Sequence, residues 1–255
     1  SQRIEATGLT FHQHFLRLAA LLLQHPNKDI RFRILQRYTN NYYQLKGTDS
    51  EHIVLPLLAR MIETANKTEC AKAAQAFFQL CSLQDSDLIC QLFRVRLSTP
   101  AILEEMVDAL DDLEDEHLLP IIQAVLAVLA TAPVTALLRL QLATSHLPAD
   151  ELLVFLTDLA AKNELHAEAL AQACKSMDRD LSRFELASLE KIEKALAASE
   201  DERLRRLALA LLLEQADRAD SWSRASLDRL HQYRADPSLM VATVALFTFP
   251  EEEEE

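Results

Sequence analysis

Glycine is almost missing from this chain. Its 255 residues hold two, Gly8 and Gly47, where average usage would give about eighteen. Counting alone excludes G-x-G-x-x-G, G-x-x-x-x-G-K-[ST] and G-x-S-x-G, whose glycines let the backbone close on a phosphate or bend sharply at a nucleophile. Turn-rich sheet folds are disfavoured too, because tight turns lean on glycine for positive φ. Cysteine is also scarce. Cys70, Cys81, Cys90 and Cys174 show no C-x-x-C spacing and sit among apolar residues, as small hydrophobes in a reducing compartment would. With no basic-then-apolar leader at the start, the expected location is the cytoplasm. The longest uncharged run, Leu118 to Leu138, could reach across a bilayer. Pro120 and Pro133 interrupt it, and Gln123, Thr131 and Thr135 dilute it. Two short buried helices are expected there instead of a span, with Pro133 in the first turn of the second.

What the chain does have is acid and a helical period. Thirty-nine acidic residues against 26 basic ones leave a net charge of −13. So acidic a chain lacks the Lys and Arg field that general nucleic-acid binding needs. The charge is uneven: residues 1–48 carry +5, and the chain closes on Glu251 to Glu255. Apolar residues recur at helical spacing throughout, without strand-like alternation. Polar or proline-marked breaks such as His25-Pro26-Asn27, Ser98-Thr99-Pro100, Leu147-Pro148 and Asp236-Pro237 offer side-chain acceptors for the next helix's first amides. About fourteen helices of twelve to seventeen residues are expected.

The helices repeat in pairs. Asp201-x-x-Leu204-Arg205-x-x-Ala208-x-x-x-Leu212 is the clearest copy of a second-helix pattern. Asn27-x-x-Ile30-Arg31-x-x-Ile34 and Asp236-x-x-Leu239-Met240-x-x-Thr243 follow it, with weaker copies from Lys67, Thr99, Pro133 and Asn163. On this alignment Ala71, Leu103, Leu137 and Met240 replace the arginine elsewhere. The spacing, about 35 residues, lies in the range of helical solenoids. First helices echo one another as well, Glu51-His52-Ile53-Val54-Leu55-Pro56 resembling Glu116-His117-Leu118-Leu119-Pro120.

These residues resemble the HEAT/armadillo class of helical repeats, in which a first helix often bearing leucine-proline precedes a second opening D-x-x-[VL]-R-x-x-A. The resemblance implies a right-handed α-α superhelix of about seven helical pairs, with second helices on its concave face. It also implies that Asp201 and Arg205 stabilise stacking between repeats, with Leu204 and Ala208 as repeat positions. Stacked pairs share a core that no single pair of short helices can bury. The alternative is a compact irregular helical bundle with the same period. One helical-repeat domain over 1–250 and an acidic tail at 251–255 are expected.

Chemistry finds little support. His12-x-His14 places its two rings on opposite helix faces, Glu114-x-x-His117 lacks the second Glu-x-x-His of a di-iron site, and His166-x-Glu168 lacks Pro-Cys-x-x-Cys. No catalytic residue, metal or cofactor is assigned. Two surfaces are candidates for binding. One is acidic: Glu104, Asp108, Asp111 and Asp112 share a face in a stretch without Lys or Arg from Leu97 to Leu138. It reads either as a solvated face or as a dock for a basic peptide or domain. The other is basic and aromatic: Arg31, Arg33, Arg37, Tyr38, Tyr42 and Tyr43, residue types that dominate binding hot spots. Its bland counterpart is Tyr38 and Tyr42 packed on the next repeat beneath solvated arginines. The sequence thus points to a non-enzymatic protein-interaction scaffold belonging to a larger polypeptide or complex, with a basic protein or peptide as partner. The alternatives are a nucleic-acid-associated repeat protein using its basic N-terminal end and an enzyme with an unrecognised cleft.

Overall fold

A computed structural model describes residues 18–41, 51–64, 66–113, 115–132, 135–179, 184–219 and 221–250; the side chains of 38–41, 51–53, 112, 115–116 and 176–179 lie outside it. The described residues are all-α, with no strand among them. The chain forms two compact units, Ser1–Leu138 and Arg139–Glu255.

In the first unit a helical stretch at 18–23 precedes α1 (Lys28–Asn41), α2 (Glu51–Thr64), α3 (Lys67–Leu80), α4 (Ser86–Arg96), α5 (Pro100–Asp108) and α6 (Asp115–Leu129). Sequence neighbours α2 and α3 pack together, as do α4 and α5. Alternate helices also pack, α1 on α3 and α3 on α5, α2 on α4 and α4 on α6. Odd and even helices therefore form two layers. Their shared core includes Phe77, Phe78 and Phe93, all fully buried. The Phe77 and Phe78 rings meet edge to face at 5.4 Å, and Phe78 reaches Phe93 on α4 at 6.5 Å. Truncating one such ring to alanine typically costs about 3–5 kcal/mol.

α7 (Ala136–His146) carries the division between units. The second unit continues with α8 (Ala149–Ala161), α9 (Ala167–Arg179), α10 (Leu186–Ala197), α11 (Glu202–Arg218), α12 (Arg224–Arg234) and α13 (Leu239–Leu246). The same alternation holds: α9 packs on α11 and α11 on α13, while α8 packs on α10. Helix lengths run from 8 residues in α13 to 17 in α11, a wider spread than the period alone suggests.

Side-chain caps set the helix starts. Asn27, Asn66, Asp201 and Ser223 each accept a backbone N–H from the first turn of the following helix, satisfying donors that would otherwise lack a partner. The glycine shortage shows at the end of α8, where Asn163 adopts φ 57°. Its N–H reaches the Ala160 carbonyl and the Glu164 N–H reaches Leu159, the paired closure usually built on glycine. Pro56 in α2 and Pro120 in α6 both occupy the sixth helical residue and are exposed, so water can reach the carbonyl that each leaves unbonded. Among the described residues no helix is long and apolar enough to cross a membrane. Pro133, expected to open α7, lies outside the described residues.

The observed starts shift the repeat register. The residue preceding each second helix is Asn27, Asn66, Thr99, Thr135, His166, Asp201 and Ser238. Counting four onward, the arginine position holds Arg31, Cys70, Leu103, Arg139, Leu170, Arg205 and Ala242. The weaker copies at Lys67 and Asn163 and the copy at Asp236 are thus out by one to three residues, while the Pro133 copy begins outside the described residues. Leu137 gives way to Arg139, which the sequence pattern did not single out.

Candidate functional site

Each of the three arginines at that position meets an acid, and two of them act alike throughout. Arg205 donates from Nη1 to the carbonyls of Ser199 and Glu200 in the turn before its own helix, at 3.1 and 2.8 Å. Its other two donors, Nε and Nη2, grip Asp236 of the next repeat at 2.7 and 3.1 Å. Arg31 donates from Nη1 to the equivalent carbonyls of His25 and Pro26 at 2.7 and 3.0 Å, and from Nη2 to Glu69 at 2.5 Å. Arg139, only 2% exposed, donates to Glu164. Each brace reaches an acid in or just before the next odd-numbered helix, and those of Arg31 and Arg205 also tie in the turn before their own helix. Hydrogen bonding from Arg205 holds the Asp236 carboxyl below the usual carboxylate range.

Asp201 does not pair with an arginine of the preceding repeat, whose equivalent position is Leu170. It caps α11 through Arg203 N–H and pairs with the Arg203 guanidinium at 2.6 Å, which holds its carboxyl below the usual range. Arg203 then reaches backward, to Asn163 Oδ1 at 2.7 Å and the Ala160 carbonyl at 2.9 Å. The left-handed end of α8 is therefore clasped by two arginines, by Arg139 through Glu164 and by Arg203 through Asn163. Leu204 and Ala208 are buried core residues.

Two of the braces line clefts. In the second unit a cleft of about 820 Å³ is lined by Glu193, Arg205, Arg229, Tyr233 and Asp236 among others. Glu193 is buried within it, accepting from Arg229 Nη1 at 2.5 Å and from the Tyr233 hydroxyl at 2.7 Å. Burial, reinforced by the Glu193 carboxylate, pushes the Tyr233 phenol above its ordinary range, so it stays a proton donor to the acid. In the first unit a smaller cleft of about 380 Å³ is lined by Arg31, Arg60, Glu69 and the apolar Leu23, Leu57 and Met61. Both clefts set paired charges beside apolar side chains. No Ser, Thr, Cys or His lines the larger one. Among the described residues no group of His, Cys, Asp and Glu could hold a metal ion, and the His166 ring instead accepts the Ala169 N–H at the start of α9.

The acidic face is present on α5 and the turn after it. Glu104, Asp108 and Asp111 are exposed and Glu105 is half-buried, while the Asp112 side chain lies outside the described residues. Lys67, at the first position of α3, reaches Glu105 at 3.2 Å and Glu104 at 3.9 Å. Of the basic and aromatic surface, Arg31 is committed to its brace and Arg33 and Arg37 are exposed on α1. The Tyr38 side chain, Tyr42 and Tyr43 lie outside the described residues, as does the tail at 251–255. Sequence reasoning missed Arg139, Glu164, Arg203 and the Glu193–Arg229–Tyr233 cluster. The Thr135-x-x-Leu138-Arg139 spacing carried the first of these; the others meet only through folding. Comparison of the chain with protein-family models, with curated proteins and with solved structures gives no match.

Proposed function

We propose that this chain is a non-enzymatic scaffold for protein interactions, built as one right-handed α-solenoid of HEAT-like pairs over 1–250 and working in a reducing, cytoplasmic compartment with a basic peptide or domain as partner. The alternation of layers within each unit and the recurrent arginine braces support the architecture. The observation that carries the binding reading is the exposed acidic face of α5. Lys67 already sets one ammonium between two of its carboxylates, as a lysine of a bound partner would. Exposed pairs are individually worth about 0–1 kcal/mol, so several must engage together and affinity must fall with salt.

The test is fluorescence anisotropy with a labelled lysine- and arginine-rich peptide at rising ionic strength, for the parent chain and for Glu104→Lys with Asp108→Lys and Asp111→Lys. Saturable binding that is lost in the triple variant supports the reading. Equal binding by both overturns it. Salt-sensitive retention on DNA, lost on charge reversal at Arg33 and Arg37, would favour the nucleic-acid alternative instead.

A further inference from the structure

The two clefts occupy the same place in the repeat. Leu23 and Gln24 stand eight and seven residues before the brace arginine Arg31, as Ala197 and Ala198 stand before Arg205. In the helix that follows, Leu57, Arg60 and Met61 line the smaller cleft with the same i, i+3, i+4 spacing as Arg229, Gln232 and Tyr233 in the larger. The same position is thus lined twice with different side chains, and the differences set what each cleft can bind.

The larger cleft satisfies its own charges. Arg229 and Tyr233 both meet buried Glu193, and Arg205 commits its donors to two carbonyls and to both oxygens of Asp236. In the smaller cleft the buried acid is gone. Ala19 stands where Glu193 does, twelve residues before the brace arginine, and Leu57 and Met61 stand where Arg229 and Tyr233 do. Both are half-buried, and with buried Leu23 they form an apolar wall. Cations are left over. Arg31 gives three of a guanidinium's five N–H donors to His25, Pro26 and Glu69. Arg60 is exposed at the rim and has no carboxylate partner among the described residues. The lining therefore sets two guanidiniums against one carboxylate, Glu69, and exposed Lys28, one turn before Arg31, adds to the excess.

We infer that the smaller cleft binds an acidic segment of a partner protein, seating one apolar side chain against Leu23, Leu57 and Met61 while an adjacent carboxylate pairs with Arg60 and the open donors of Arg31. Its volume, about 380 Å³, is at the small end of ligand sites and suits one large side chain. Arg60 stands at the rim, within reach of the residue that flanks that side chain in an extended peptide. Guanidinium and carboxylate meet through directed, charge-assisted hydrogen bonds, and the unbranched Met61 adapts to the shape of what it packs against. The inference does not rest on the acidic face of α5, whose proposed partner carries the opposite charge.

Fluorescence anisotropy on the full chain tests it, with a labelled peptide carrying one leucine among glutamates. Two controls accompany it, an all-glutamate peptide and the leucine peptide with glutamine in place of glutamate. The leucine–glutamate peptide should bind saturably and more tightly than either control, because each control removes one half of the match. Arg60→Gln should weaken binding by about five- to tenfold. Gln24→Glu, which puts an acid back at the rim, should weaken it by a similar factor. Both positions are exposed, so unchanged circular dichroism is expected and separates loss of contact from loss of fold. A parent chain without saturable binding would overturn the inference. So would equal binding of either control, which would mean that charge or apolar contact acts alone. Affinity that survives both changes would place the peptide elsewhere and overturn it as well.

Discussion

Removing the Arg205 side chain tests whether the braces hold repeats together. The pair is largely shielded, with side-chain exposures of 15% for Arg205 and 7% for Asp236. Stripping one partner from a buried pair costs about 3–5 kcal/mol, because the remaining charge is left uncompensated. Two features lower that figure here. Asp236 Oδ1 still accepts the Ser238 N–H at 2.8 Å, and the carbonyls of Ser199 and Glu200 lie in a turn where water can replace the guanidinium. Arg205→Ala should therefore cost about 2–3 kcal/mol. At about 2–4 °C per kcal/mol for a chain of this size, the melting midpoint should fall by about 5–10 °C. A double-mutant cycle with Asp236→Ala, read by urea unfolding, isolates the pair from the carbonyl contacts. Coupling above about 1 kcal/mol is expected, well over the roughly 0.5 kcal/mol seen between independent sites. Additive single changes would mean that the packing of α11 on α13 holds this junction and that the brace is incidental. Arg31→Ala should cost less, because its acid, Glu69, takes one contact where Asp236 takes two.

Acid should weaken the fold through the same groups. Asp201 and Asp236 are depressed by their arginines, so between the folded and unfolded values the unfolded chain binds more protons; their contribution is complete above the ordinary aspartate range of about 4 and is lost as pH falls through the folded values. Stability measured across the acid limb should rise with pH, and Asp201→Asn with Asp236→Asn should flatten that slope; an unchanged slope would discount both pairs. Burial pushes the Cys70 thiol up to about 11, so thiol labelling of the native chain at mildly alkaline pH should modify the half-buried Cys174 first, and equal rates would refute the packing around Cys70. Tyr233→Phe takes a donor from buried Glu193 and should cost about 1–3 kcal/mol in urea unfolding; a neutral result would mean that Arg229 alone satisfies the acid.

How far the sequence could be read depended on whether a feature is local. Helix placement is local: apolar spacing with polar breaks such as His25-Pro26-Asn27 and Ser98-Thr99-Pro100 led to the helical order seen in the structure. Register is less so. The Asn163 start misplaced the register because asparagine was read as an opening. In the structure Asn163 closes α8 in a left-handed turn, and α9 begins only after His166. With no glycine to mark that turn, the usual sign of a helix end is missing. The candidate surfaces divide along the same line. Exposure of Glu104, Asp108 and Asp111 on one face follows from spacing along a single helix and its extension. Arg31 looked like a surface residue because its acid partner lies 38 positions away, and the Glu193–Tyr233 contact spans 40. The outer side of α13, where Leu239, Met240 and Leu246 are exposed while Val241, Ala242 and Ala245 are buried, was hidden for another reason: a helix apolar on both sides looks like buried core until its neighbours are known.

The braces also account for a second-helix pattern that is uneven in the sequence while alternate helices still pack on one another. Only three of seven arginine positions hold arginine; the others are Cys70, Leu103, Leu170 and Ala242, and all four are buried. Exchanging a shielded ion pair for well-packed apolar side chains is often neutral or favourable, whereas losing one member alone is costly. A matched change of both partners should therefore cost little at this position, and a change of one alone should cost more. Where arginine is present an acid accompanies it: Arg31, Arg139 and Arg205 each pair with an acid in or just before the next odd-numbered helix, Glu69 in one place, Glu164 in another and Asp236 in the third. The acid's position varies because a guanidinium has several donors, and any of them can meet a carboxylate brought within reach by the packing of one second helix on the next. What recurs is a geometric relation between neighbouring second helices, with no fixed residue required on the acidic side. A relation of that kind leaves only its arginine half in a linear motif, and here it leaves that half at three of seven positions.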